Sequence, residues 1–286
     1  MTTPHRFEDM IHCPVLTYHS HNVFANEYGK NDHVSLARDL RTIQAMGKRI
    51  IGLGQLLDWL LGEGSEAAIE NGVCLTFDDG CDFDVFDLDF PGHGIQRSFL
   101  NILKDFQTEF GTDAQPDLQA TSFVMAGPEA RAEMDRRSLF GRSWISDGWW
   151  APVQAKGLID IQNHSWDHNH PDVTDPAHPE KIRGRFDVID SFEACELQVR
   201  KASEYIGRRA GKEQAELFAY PYGQSSRYLR EIYFPRFTDR HHTRAAFGCD
   251  ASAVTRDSNR WNLPRFICIR DWKTPDQFRQ LLEGSL

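Results

Sequence analysis

Two adjacent carboxylates, Asp78 and Asp79, end the apolar run Leu75-Thr76-Phe77 and are followed by Gly80. Glycine at that point lets the backbone turn sharply enough for both acids to face one pocket. Neighbouring carboxylates repel unless a cation or a shared proton relieves them, which gives the pair a reason to hold a metal while one member serves as a base. Two imidazoles, His164 and His168, stand four apart in H-S-W-D-H. That spacing puts both on one side of a helical turn or tight loop and suits zinc. Ser165 stands where a zincin carries glutamate, so the H-E-x-x-H protease reading fails. A third segment, Phe218-Ala219-Tyr220-Pro221-Tyr222-Gly223, is broken by proline and glycine, and such turns expose backbone N–H groups that can stabilise an oxyanion. Each segment alone has a plain structural reading: an Asx-capped turn, two of twelve histidines spaced by chance, and an ordinary turn.

The elements that must carry these residues follow from periodicity. Strand-like P-V-L-T-Y-H, G-V-C-L-T-F-D-D, A-T-S-F-V-M-A, L-I-D-I-Q-N-H, E-L-F-A-Y-P-Y-G, A-A-F-G-C and R-F-I-C-I-R are separated by other segments. Among those, L-A-R-D-L-R-T-I-Q-A-M-G, R-S-F-L-N-I-L-K-D-F-Q-T-E-F, residues 191–211 and T-P-D-Q-F-R-Q-L-L-E-G have helical period. The alternation predicts an α/β fold with a parallel sheet, and His19, Asp78, Asp79, His164 and Tyr222 fall at the C-terminal strand ends where β/α barrels build their sites. The chain of 286 residues, 40% hydrophobic, shows no linker-like stretch. It reads as an N-terminal extension, 1–12, and one domain, 13–286, with a long loop at about 82–95 over the site face. Gly52-Leu53-Gly54 lacks the rest of a dinucleotide fingerprint and reads as a loop.

Composition excludes several partners. A formal charge of −10 disfavours nucleic acid and anionic membrane. No apolar run approaches the roughly 20 residues of a membrane span, and M-T-T-P-H-R-F-E-D-M-I-H-C-P-V lacks a secretory h-region, so a cytoplasmic location is expected. The six cysteines form no C-x-x-C pair and read as free thiols, with Cys81 a packing residue.

In this order, T-F-D-D-G, H-S-x-x-H and Y-P-Y-G strongly resemble the polysaccharide deacetylase family, the NodB-homology domain or carbohydrate esterase family 4, over roughly residues 13–270. The resemblance implies a distorted (β/α) barrel that removes acetyl groups from N-acetylated sugars with one divalent ion, zinc first, with cobalt, nickel or manganese as substitutes. It implies Asp78 as general base, Asp79, His164 and His168 as metal ligands, and the Tyr222 backbone N–H at the oxyanion.

Two departures from the pattern stand out. Ala219 occupies the place of the family's arginine that orients the catalytic aspartate, and Arg265 in L-P-R-F is the candidate to replace it, with a core-edge arginine as the alternative. The late Leu-x-His, whose histidine protonates the leaving amine, is missing, and His19 is the favoured substitute over His93 and His170. Trp144, Trp149, Trp150 and Trp166 are candidates for sugar stacking, with core packing the better default. Three functions compete: sugar de-N-acetylation; hydrolysis of an O-acetyl ester or non-sugar amide at the same metal site; and a silent carbohydrate-binding barrel. The sequence is silent on oligomeric state.

Overall fold

Short runs of β-branched and aromatic residues, each buried on both faces, form a parallel sheet only when helices cover it, and the chain supplies them in alternation. The computed structural model describes residues 11–174 and 182–285; residues 1–10 of the expected N-terminal extension lie outside them. The strands are β1 (Val15–Tyr18), β2 (Arg49–Ile50), β3 (Gly72–Phe77), β4 (Leu88–Phe90), β5 (Gly94–Gln96), β6 (Ala120–Val124), β7 (Ile159–Asn163), β8 (Leu217–Ala219), β9 (Ala245–Phe247) and β10 (Phe266–Ile267). The main sheet runs β10-β1-β3-β6-β7-β8-β9, with β2 beside β3, and every pairing in it is parallel. One segment reaches both edges: Leu263 bridges Phe247 of β9, and three residues later β10 pairs with β1. The result is a distorted (β/α) barrel in a single domain.

The strand period of two divides the core. Val15, Cys74, Phe123, Leu217, Ala219 and Phe247 face one cluster inside the sheet's curve. Leu16, Leu75, Phe77, Val124, Ile159 and Ile161 face the helices outside. The outer layer contains α1 (Asp32–Ala45), capped by the Asn31 side chain, and α3 (Phe99–Phe110), capped by Ser98.

Three expectations needed correction. Gly52-Leu53-Gly54 is no loop: helix α2 (Leu53–Leu60) begins there, because Leu53, Leu56, Leu57 and Trp59 bury one face against the inner cluster despite Gly54. Residues 82–95 form no open loop. A 3₁₀ turn (Asp82–Asp84) buries Phe83 among Phe90, Phe140 and Trp144, and β4 and β5 pair as an antiparallel hairpin. The helix expected over 191–211 is interrupted: Phe192–Cys195 and Ala202–Ala210 are α-helical, and Glu196–Lys201 between them is a π turn.

Three carboxylates are buried beneath this layer. Asp39 of α1 accepts hydrogen bonds from the Tyr18 hydroxyl at 2.9 Å, the Tyr28 hydroxyl at 2.6 Å and the Trp272 indole N–H at 3.1 Å. Burial pushes its pKa up to about 7, and does the same for Asp32, to about 7, and Asp84, to about 8. The folded state therefore holds these protons more tightly than an unfolded chain with carboxyls near 3.8. Their contribution to stability is complete below about pH 4 and is lost as pH rises through 7 to 8. Melting followed by circular dichroism is expected to show a transition temperature several degrees lower at pH 8.5 than at pH 5. Asp39→Asn, which keeps an acceptor but cannot ionise, is expected to narrow that difference; a transition temperature that rises over this range would contradict the assignment.

Candidate active site

Alternation along β3 sends Cys74 and Thr76 inward and continues to Asp78. The same alternation would turn Asp79 away. It does not, because Asp79 adopts φ 74° and Gly80 φ 67°, which swings the chain round so that both carboxylates line one cleft at the strand ends. A Cβ on Gly80 would lie 2.6 Å from Val124 Cγ1, so only glycine lets the end of β3 pass this close to β6.

Asp78 is held by Arg265, which is fully buried. Arg265 Nη1 donates to Asp78 Oδ1 at 2.8 Å and Nη2 to Oδ2 at 2.9 Å, while Nε donates to the Gly248 carbonyl at 3.0 Å. This is a fork-to-fork pair, with the Nε donor satisfied as well. Burial opposes the charged form of Asp78, but the Arg265 guanidinium, joined by His164 and His19, outweighs it and holds the carboxyl below its ordinary value.

Asp79 Oδ1 lies 3.4 Å from His164 Nε2 and 3.4 Å from His168 Nε2, and the three atoms fall within 4.8 Å of one another. The His164 Nδ1 atom lies 2.9 Å from the Ala219 carbonyl oxygen. A carbonyl can only accept, so Nδ1 carries hydrogen and Nε2 is the atom turned to Asp79. Burial pushes the pKa of His168 down to about 3, so its imidazole stays neutral at ordinary pH. Opposing burial, the histidines hold Asp79 well below the usual carboxylate range. One carboxylate and two imidazole nitrogens form a donor set that fits a divalent transition ion, and three protein ligands leave positions open. Asp79, His164 and His168 could hold such an ion.

The turn from His164 to Asn169 is fixed from outside. The His168 N–H donates to Ser165 Oγ at 2.9 Å. Gln198, on the π turn, accepts from the Trp166 N–H at 3.1 Å and donates to Asp167 Oδ1 at 2.7 Å. The π turn, a feature frequent near functional sites, places this clamp. Ser165, His168 and Asn169 have φ of 76°, 58° and 45°, and Tyr222 has 58°. With Asp79, they are five of the nine non-glycine residues with positive φ among the described residues, so unfavourable backbone is concentrated here.

Tyr222 lines the cleft, 41% exposed, with its ring 4.4 Å from that of His168. His19 also lines it; its backbone N–H donates to Asp32 Oδ2 at 2.7 Å, and its buried Nδ1 has no hydrogen-bond partner. His170 borders the cleft and accepts from the Asp172 N–H, whereas His93 sits on the hairpin and is not among the lining residues. None of Trp144, Trp149, Trp150 and Trp166 lines the cleft; Trp149 and Trp150 are core. Cys81 does line it, with Sγ 3.1 Å from the Trp144 carbonyl, and burial raises its thiol pKa, which fits packing better than nucleophilic attack. The sequence reading missed His21, whose Nδ1 lies 3.7 Å from Asp79 Oδ2. The available signal was the second histidine of T-Y-H-S-H.

Comparison with known proteins bears on the family and the fold. A family model for polysaccharide deacetylase matches residues 66–233, more than half of the chain. That span includes Asp78, Asp79, His164, His168 and Tyr222 and leaves out His19 and Arg265. The fold is similar to that of a Streptococcus pyogenes deacetylase, PplD, in complex with acetate, at TM-score 0.63 and 14% identity, covering 96% of this chain and 99% of that one. A de-N-acetylase from Aggregatibacter actinomycetemcomitans is similar at TM-score 0.61 and 13% identity, covering 95% of this chain and 100% of that one. A polysaccharide deacetylase from Bacillus cereus is similar at TM-score 0.60 and 14% identity, covering 96% of this chain and 69% of that one. No curated protein matches in sequence.

The buried pair yields a stability test. Arg265→Met leaves Asp78 charged and alone and is expected to cost about 3–5 kcal/mol in urea denaturation. Adding Asp78→Asn removes the orphaned charge and should recover part of that loss; a double variant no more stable than the single one would show that the guanidinium acts by packing alone.

Proposed function

The chain belongs to the polysaccharide deacetylase family, a family of hydrolases, and on that premise we propose that it removes acetyl groups from N-acetylated sugars with one divalent ion, zinc by preference, held by Asp79, His164 and His168. The observation that carries the reading is the convergence of these three ligand atoms beside a carboxylate, Asp78, that is already paired to a guanidinium. An ion bound there would polarise the acetyl carbonyl and acidify a water molecule.

Asp78 takes that water's proton. Its Oδ2 lies 4.0 Å from His164 Nε2, so the transfer happens beside the ligand cluster. Because Arg265 holds Asp78 below the ordinary carboxylate range, Asp78 is a weak base and accepts only a proton made acidic beforehand. Arg265 also fixes both carboxylate oxygens, the positioning role that the family gives to the arginine replaced here by Ala219. The Tyr222 backbone N–H, presented by the left-handed turn after Pro221, donates to the oxyanion. His19, which lines the same cleft, would protonate the leaving nitrogen.

A second reading keeps the site and changes the bond to an O-acetyl ester. The missing late histidine favours it, since an alkoxide leaving group needs less help from an acid than an amine does. A silent barrel is disfavoured, because it has no need of both carboxylates and both imidazoles in this geometry.

Acetate release from N-acetylated oligosaccharides by zinc- or cobalt-loaded protein is expected. Asp78→Asn should lower kcat by about 10²–10⁴ while ion affinity, read by calorimetry, changes little. His168→Ala should lose both affinity and activity. Acetate release undiminished in Asp78→Asn would refute the base assignment, and faster release from matched O-acetyl substrates would favour the ester reading.

A further inference from the structure

Asp78 has both carboxylate oxygens fixed by Arg265, whereas the two oxygens of Asp79 have different neighbours. Its Oδ1 faces the Nε2 atoms of His164 and His168, each at 3.4 Å. Its Oδ2 faces His21 Nδ1 at 3.7 Å, beyond hydrogen-bond length. That nitrogen is closed to solvent and has no hydrogen-bond partner among the described residues, although the His21 side chain borders the cleft with 28% of its surface exposed. A buried ring nitrogen left without a partner is costly. The carboxylate oxygen it faces can only accept, so the contact is attractive when Nδ1 carries the hydrogen.

His21 is brought there by a turn that the first residues of α1 hold in place. The Asn22 N–H donates to the His19 carbonyl at 2.9 Å and the Val23 N–H to the His21 carbonyl at 3.0 Å. Asp32 Oδ2 accepts from the His19 N–H at 2.7 Å, and the Asp32 N–H donates to the Asn22 carbonyl at 3.1 Å. His33 Nε2 lies 2.8 Å from the Ser20 carbonyl oxygen. The backbone on both sides of His21 is therefore anchored, and the ring has only its own side-chain torsions with which to close on Asp79.

His21 lies outside the set of ligand atoms that converge within 4.8 Å, and it faces the oxygen that set does not use. A carboxylate whose second oxygen is free can swing and present both oxygens to an ion, filling a position that water or substrate needs. Groups that hydrogen-bond a ligating carboxylate fix its orientation. We propose that His21 is a positioning residue for Asp79, donating from Nδ1 to Oδ2 so that Oδ1 alone is offered to the ion. The inference rests on the metal-site reading above.

The test is zinc affinity, read by calorimetry on metal-stripped protein, in wild type and in His21→Ala, His21→Asn and His21→Gln. Asparagine carries its amide nitrogen as many bonds from Cβ as Nδ1 is, and glutamine as many as Nε2 is. His21→Ala and His21→Gln should bind zinc about 10–100-fold more weakly, while His21→Asn stays within about threefold of wild type. Metal-free melting temperatures should agree across these proteins, which separates a weakened site from a damaged fold. Equal weakening in every variant would make the imidazole itself a ligand. Affinity unchanged in His21→Ala, or restored by glutamine in place of asparagine, would leave Oδ2 without this holder. Each of these results would overturn the inference and leave the metal-site reading standing, whereas wild-type protein that binds no zinc would overturn that reading and this inference with it.

Discussion

Two carboxylates on consecutive residues, both removed from most of the solvent, cannot remain charged together unless each has its own stabilising partner. Much of the architecture around the cleft follows from meeting that constraint. Asp78 is matched by a guanidinium brought from the far end of the sequence by the segment that joins β9 to β1. Asp79 is matched by two imidazoles brought from the end of β7. Strand order places β3 between these suppliers, with β1 on one side and β6 then β7 on the other. The proposed division of labour between base and ligand follows the partner that each carboxylate receives.

The arrangement requires backbone that most residues avoid. Asp79, His168 and Tyr222 each occupy the left-handed region, and each change of direction puts a side chain or an N–H group where a regular strand or helix would not. The cost is met by surrounding bonds: Gly80 against Val124, the Ser165 hydroxyl under His168, and Gln198 gripping the loop from the π turn. Rigidity at the site is therefore built in part by residues that do not line the cleft.

This explains how much the sequence revealed. The pairs Asp78-Asp79 and His164-His168 were legible because the acids are adjacent and the imidazoles closely spaced, and the strands beneath them because their apolar runs are uninterrupted. Arg265 came to notice only through an absence, the alanine at position 219. His21, the π turn and the left-handed residues were hidden, since they depend on how distant segments approach one another rather than on local pattern. Gly54 misled for a related reason: glycine signals a break locally, yet Leu53, Leu56, Leu57 and Trp59 gain enough by burial to hold the helix. The Asp-rich and Phe-rich stretch at 82–95 looked like a loop because its order comes from Phe140 and Trp144, roughly fifty residues away.

The central claim is that Asp79, His164 and His168 form one ion site while Asp78 stays with Arg265. Anomalous diffraction from zinc-grown crystals tests it most directly. The account predicts a single strong peak about 2.0–2.2 Å from a carboxylate oxygen of Asp79 and one nitrogen each of His164 and His168, with Asp78 still paired to Arg265. A peak coordinated by Asp78 in place of Asp79, or no ion among these side chains, would contradict it.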